Sequence, residues 1–288
     1  MRYFDAAGVR AAISIEDAIA ALRCGLSAVS PPQAMRNSTL WTGGELLVMP
    51  AEGAQVTGVK LVTIGSGPVR VQGVYVLFDA ATLTPLLVAE AGALTLLRTA
   101  ALTALATDLL APRRAARLAV VGTGPQAREH VGAIRAVRPI SSVTLVGRTP
   151  AKAVALAAAL DAEVGEDVSD ADIVCLCTTS ITAVVRAADL APNAHVNAIG
   201  VHVPHGREVA ADVVASSFVV VDDVQAARRE AGDLIMAVAD GAVPDDVFAH
   251  DLASLVRGHV GPPGGGRTLF KSVGFGLADL LVARLLAD

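Results

Sequence analysis

The chain has 288 residues, of which 53% are apolar and 18% charged, with a formal net charge of −5 and a mean hydropathy of +0.56. That length admits one large domain or two small ones, the acidic balance gives nucleic acid no footing, and neither a bilayer-length apolar run nor a signal peptide stands out. The expectation is a cytoplasmic globular protein with no nucleic-acid or membrane partner.

Ser14-Ile-Glu-Asp reads as a helix start, and Ile15–Ala28 carries amphipathic spacing up to Pro31-Pro32. Met35–Trp41, a turn at Gly43-Gly44 and the apolar run Leu46–Met49 follow. Val56–Ile64 and Val69–Phe78 are predicted strands joined by Gly65-Ser-Gly-Pro, and Leu83–Ala89 is another. Successive strands with short glycine-rich turns predict a small antiparallel or mixed sheet. Thr95–Ala111 is apolar nearly all round and predicts a buried helix with Arg98 in its first turn. A cation there opposes the helix dipole. Either an anion is held beside it, or a carboxylate such as Glu90 pairs with it.

Pro112-Arg-Arg marks a boundary, after which strands and helices alternate. Strands are predicted at 118–121, Ser142–Val146, Ile173–Cys177, His195–Ile199 and Phe218–Val221. Helices are predicted at 125–137, Pro150–Leu160 and Asp223–Glu230, with a short one opened by Glu208 and Asp212. Gly261–Gly266 is a loop, and a long apolar helix closes the chain over 268–288. The fold class is therefore α/β: a Rossmann-type doubly wound parallel sheet over residues 113–267, plus a smaller α+β domain over 1–112 to which the last helix returns.

The centre of the second domain is Leu118–Ala127, where four apolar residues lead into Gly122, Thr123, Gly124, Pro125, Gln126 and Ala127. The order strand, G-x-G-x-x-A, helix fits a dinucleotide pyrophosphate. Gly122 permits the turn, Gly124 lets backbone approach the phosphates, and free N–H groups with the positive end of the helix dipole face them. The next strand ends in Gly147, Arg148 and Thr149, where an NAD-preferring site usually carries an acid. A guanidinium and a hydroxyl suit a 2′-phosphate, so NADP(H) is expected to be preferred, with NAD(H) the alternative. A solvated turn arginine would look the same in sequence.

Only three of the 23 basic residues are lysines: Lys60, Lys152 and Lys271. Arginine serves wherever a plain charge suffices, so a lysine in apolar surroundings suggests a need for a compact, tunable ammonium. Lys60 and Lys271 are in that position; Lys152 lies in a polar helix start. Cys175 and Cys177 share one face of an apolar strand and read as packing, and no metal site is expected.

Six separated segments carry a resemblance. They are Gly58-Val-Lys-Leu-Val-Thr, Leu94-Thr-Leu-Leu-Arg-Thr-Ala-Ala, Val120-Val-Gly-Thr-Gly-Pro-Gln-Ala, Val196-Asn-Ala-Ile-Gly, Arg207-Glu and Thr268-Leu-Phe-Lys-Ser-Val-Gly. In this order the chain resembles the ornithine cyclodeaminase/mu-crystallin family over nearly its whole length. The resemblance implies a homodimer whose first domain carries the subunit contact and a site for a small amino or imino acid. It implies that Arg98 clamps the substrate carboxylate, that Arg36 is a second carboxylate ligand, and that Lys60 donates a proton or hydrogen bond at the reacting centre. The family's activities include cyclodeaminases, alanine dehydrogenases and reductases of cyclic ketimines.

One departure discriminates among them. Cyclodeaminases carry an acid/base Asp two residues after the glycine of the Asn-Ala-Ile-Gly segment, where this chain has His202. Ketimine reduction needs only hydride delivery to C2 and a protonated imine, whereas cyclodeamination asks the acid/base group to serve several steps. The expectation is an NAD(P)H-dependent oxidoreductase reducing pyrroline-2-carboxylate or piperideine-2-carboxylate to proline or pipecolate. Lys60 and His202 are the catalytic candidates; His202 as a plain loop residue stays open. Thr178 and Thr179 are expected to line the cofactor and Val201 to abut the nicotinamide. Lys271 is expected to anchor the last helix, with Asp279 as its partner. The alternatives are an ornithine cyclodeaminase or amino-acid dehydrogenase, and a non-catalytic NADPH and small-ligand binder.

Overall fold

The computed structural model describes residues 1–28, 33–66, 71–262 and 264–287. The predicted features at Pro31-Pro32, Gly67-Pro68, Val69 and Pro263 lie outside them. In chain order the elements are β1 (Arg2–Phe4), α1 (Ala6–Ala12), α2 (Ile15–Ser27), β2 (Asn37–Trp41), β3 (Gly44–Glu52), β4 (Val56–Gly65), β5 (Val71–Asp79), β6 (Pro85–Glu90) and α3 (Ala91–Leu110). There follow β7 (Arg117–Val121), α4 (Pro125–Val137), β8 (Ser142–Val146), α5 (Pro150–Leu160), β9 (Glu163–Val164), β10 (Ile173–Leu176), β11 (His195–Ala198), α6 (Ala211–Ala215) and β12 (Ser217–Val221). The last are α7 (Val224–Glu230), α8 (Gly232–Ala239), α9 (Leu252–Val256), β13 (Arg267–Lys271) and α10 (Gly276–Ala283).

The chain divides into two units, 1–102 with 275–288, and 103–274. The first holds a six-stranded sheet in the order β1-β6-β5-β4-β3-β2. Only the β1–β6 pair is parallel; the rest are antiparallel. Alternation along β4 buries Gly58, Lys60 and Val62 and leaves Val59 and Leu61 half-buried. That period of two defines a core face, and α10 packs on β3, β4 and α2.

The second unit holds a seven-stranded, all-parallel sheet in the order β12-β13-β11-β10-β7-β8-β9. From β7 the chain runs outward through β8 and β9, then returns to β10 on the other side of β7. The switch point therefore lies between β7 and β10, and the loops leaving those two strands flank it.

The chain's end differs from its reading as sequence. Residues 268–271 belong to strand β13, fully buried between β11 and β12, not to a closing helix. The helical part is Gly276–Ala283, followed by a 3-10 turn at Arg284–Leu286. A strand covered on both faces reads as an unbroken apolar run, as a buried helix does. Helix α3 has 20 residues, long and apolar enough for a bilayer span, contrary to the sequence expectation, and 78% of that stretch is buried within the protein. Glu208 lies outside the short helix it was expected to open, which begins at Ala211 with Asp212 in its first turn.

Candidate functional site

In the first unit three charged side chains from three elements meet in the core. Lys60 of β4 is 2% exposed, Arg98 of α3 is 5% exposed and Asp279 of α10 is fully buried. The Lys60 Nζ lies 2.9 Å from Asp279 Oδ1, to which it donates, and 2.8 Å from Oδ2. Arg98 Nε donates to the same Oδ1 at 2.9 Å. The two terminal nitrogens of Arg98 have no hydrogen-bond partner among the described residues.

One carboxylate thus faces two buried cations. Burial pushes the Lys60 ammonium down from 10.5 to about 8; Asp279 opposes the shift, and the charges of Arg98 and Arg36 add to it. Arg36 is half-buried in the segment just before β2. Tyr75 stands directly across from Lys60 on β5. Its hydroxyl is buried without a partner among the described residues, and burial followed by the Asp279 charge raises its ionisation well above the usual range.

These contacts replace two sequence expectations. α3 begins at Ala91, so Arg98 sits about two turns in and the dipole argument does not apply to it. Glu90 accepts from Gly92 N at 2.8 Å and Ala93 N at 2.6 Å, capping α3 and leaving Arg98 to Asp279. Lys271 does not pair with Asp279. It lies 2.7 Å from Asp233 Oδ2 and donates to Val201 O at 2.6 Å.

In the second unit the glycine loop joins β7 to α4. Gly122 has φ +125°, and a Cβ there would come within 2.5 Å of Cys177 O, so the position requires glycine. A Cβ on Gly124 would meet nothing within 4 Å. Gly124 is the N-cap of α4 with no side-chain cap, and Pro125 follows at the first helical position. Gln126 Oε1 is buried without a partner among the described residues. An open approach, uncapped helix N–H groups and an orphaned amide oxygen suit a diphosphate and its ribose.

Thr123 packs against Gly147, whose Cβ would lie 2.5 Å from Thr123 Cγ2. That contact sets the end of β8 beside the glycine loop. Arg148 and Thr149 there are both exposed, and Thr149 caps α5 without a side-chain hydrogen bond. Thr178 and Thr179 follow β10, and Val201 and His202 follow β11. Val201 is 4% exposed, Thr179 is exposed, and Thr178 and His202 are half-buried.

The sequence reading missed the roles of two acids. Asp279 was a charged residue in an apolar helix, which signals a buried partner, but sequence could not say which cation it meets. Glu208 belongs to the Arg207-Glu segment and is fully buried, where its carboxylate collects donors from the loops after β10 and β11. No cluster of His, Cys, Asp or Glu able to hold a metal occurs among the described residues.

Comparison with known proteins gives the family and the fold. The family model described as "Ornithine cyclodeaminase/mu-crystallin family" matches residues 7–288. A Delta(1)-pyrroline-2-carboxylate reductase of Bacillus cereus is 35% identical, over 84% of this chain and 80% of its own length. The ketimine reductase mu-crystallin of Mus musculus is 30% identical, over 85% and 80%. Among solved structures, the Thermococcus litoralis Delta(1)-pyrroline-2-carboxylate reductase in complex with NADH and L-proline superposes with a TM-score of 0.93 at 25% identity, covering 100% of this chain and 96% of that one.

Proposed function

The chain belongs to the ornithine cyclodeaminase/mu-crystallin family, and on that premise we propose that it is an NAD(P)H-dependent reductase of cyclic ketimine carboxylates, acting on pyrroline-2-carboxylate or piperideine-2-carboxylate. The observation that carries this reading is the charge imbalance around Asp279. Two buried cations share one carboxylate, and the terminal nitrogens of Arg98 are uncommitted. A buried guanidinium with a free fork favours a bidentate carboxylate ligand.

Arg98 holds the substrate carboxylate, with Arg36 as the second ligand. This fixes C2 of the ring and supplies rate through orientation. Lys60 donates a proton to the imine nitrogen as the C=N bond becomes C–N, and regains it from solvent. His202 is the second candidate donor. A bound reduced nicotinamide supplies the hydride that C2 accepts, so one hydride and one proton add across the double bond to give proline or pipecolate. Residues 122–126 hold the diphosphate, Thr178 and Thr179 line the cofactor, and Val201 meets the nicotinamide.

Arg148 and Thr149 support a preference for NADP(H) over NAD(H). We further infer a cytoplasmic homodimer: β2 is exposed along its whole length, with Leu40 at 82% and Trp41 at 58% exposure, which fits an edge that another copy covers.

The test is oxidation of NADPH and NADH with each of the two imines, alongside ornithine and alanine, for the native chain and Arg148→Ala. Turnover of an imine is expected, with NADPH favoured and the preference reduced about tenfold in the variant. No turnover of either imine while ornithine or alanine is accepted would overturn the reductase reading. An unchanged preference in Arg148→Ala would overturn the NADP(H) assignment.

A further inference from the structure

One fully buried and heavily engaged carboxylate of the second unit, Glu208, is not used by the proposed chemistry. Glu208 precedes Val209, which bridges in parallel to Val185, and its side chain is buried. Its Oε1 accepts from Thr178 N at 2.9 Å and Thr178 Oγ1 at 2.7 Å. Its Oε2 accepts from Gly200 N at 2.6 Å and Val201 N at 3.2 Å. Four donors from two separate loops therefore converge on one carboxylate.

The backbone of Glu208 is held in turn. Asp233 Oδ1 on α8 accepts from Glu208 N at 2.6 Å and Val209 N at 3.0 Å. Lys271 on β13 bridges Asp233 Oδ2 and Val201 O, at 2.7 and 2.6 Å. Gly200 is packed so closely that a Cβ there would lie 2.1 Å from Thr178 O and 2.6 Å from Glu208 Oε1. Such a network costs a great deal to bury and is hard to explain as stability alone, since apolar side chains would fill the space at less cost. Its effect is geometric: it fixes the ends of β10 and β11 relative to each other.

We propose that Glu208 is the positioning residue for the nicotinamide end of the cofactor, setting the placement of Thr178 and Val201 by tying both of their loops to one carboxylate. The proposal rests on the reading that the second unit holds a nicotinamide cofactor. All four contacts come from N–H or O–H groups, and the ionised carboxylate accepts from every one of them. Burial pushes Glu208 up to about 7, against the Lys271 charge and the Thr178 donors, with the Asp233 charge adding to the push. The loops are thus expected to loosen as pH falls below neutrality.

The test compares native protein, Glu208→Gln and the milder Thr178→Val, which removes one of the four donors to Glu208 together with the acceptor for Ser180 N. NADPH is the probe. Its affinity and the emission of its bound dihydronicotinamide are read by fluorescence, turnover by kcat with an imine, and folding by circular dichroism. Because misplacing a reacting group by about 1 Å costs as much as a hundredfold, Glu208→Gln should lower kcat about tenfold or more. NADPH affinity should stay within about threefold, since the diphosphate loop is untouched. Bound emission should shift toward that of free NADPH, and the acidic limb of the kcat profile should disappear. Thr178→Val should move emission and kcat in the same direction by a smaller factor, and it decides the matter if Glu208→Gln does not fold. Native emission and kcat in both variants would overturn the positioning role, as would losses that track the folded fraction alone. A native protein that binds neither NADPH nor NADH would instead sink the underlying cofactor reading, and the two failures are distinct.

Discussion

Asp279 decides what Lys60 can do. An ammonium held near 8 by burial is still protonated at neutral pH but gives up its proton readily, which suits a general acid. Replacing Asp279 with Asn keeps one acceptor and removes the charge that opposes the desolvation. The Lys60 ionisation then falls further, and since the donor form is the protonated one, activity is lost at lower pH. The alkaline limb of kcat/KM should move down from about 8 by roughly one unit or more in Asp279→Asn. A limb that stays in place would show that Lys60 is not the group titrating there. Because Lys60 binds its proton less tightly in the folded chain than in the unfolded one, its contribution to stability rises as pH increases through the window from about 8 to 10.5. The arginine-rich composition made Lys60 legible in the sequence as an exception. Its partner was not legible, because the chain separates Lys60 from Asp279 and only the packing of α10 on β4 joins them.

At the scale of elements, β2 is exposed at all five of its residues. It ends the six-stranded sheet, so its outer backbone edge pairs with no other strand among the described residues. A dimer that covers it buries Leu40 and Trp41. Trp41→Arg should therefore weaken self-association by about tenfold or more, given the weight aromatic anchors carry at interfaces, as read by sedimentation equilibrium. Unaltered association would place the contact elsewhere. The strand–turn–helix order around Gly122 was legible because glycine spacing and a four-residue apolar strand are local signals. β13 was not: Thr268-Leu-Phe-Lys is buried on both faces, and periodicity carries no information when both sides of a strand are apolar. The start of α3 was misplaced for a related reason, since its N-terminal turn is as apolar as its middle and Glu90 caps it from the preceding strand.

Across the whole molecule, two buried neutral histidines contribute to the loss of stability in acid. His195 lies between Thr268 Oγ1 at 2.8 Å and Asn197 Oδ1 at 3.1 Å, and burial pushes it down to about 3. His130 contacts Gln126 O at 2.7 Å and Thr103 Oγ1 at 3.1 Å, and burial lowers it to about 4. In both cases the unfolded chain binds protons more readily than the folded one, so stability is lost as pH falls below 6.5. A shift of this size corresponds to about 3 kcal/mol for His130 once both forms are titrated. His130→Gln should flatten the dependence of Tm on pH between about 6.5 and 4, measured against the native protein. An equal slope in both would mean that other groups carry the acid loss.

The chain crosses between its two units twice, within α3 and again after Gly274. The first unit is therefore discontinuous, and no single cut yields it intact. A fragment ending at residue 102 would keep Lys60 and Arg98 but forfeit the segment 275–288 that brings Asp279. Two cations would then sit in an apolar interior with no countercharge, which folding does not tolerate. Isolating the first unit thus requires splicing the C-terminal segment back on through a designed linker, and exchange of the second unit between relatives has to replace an internal insert and leave both termini in place.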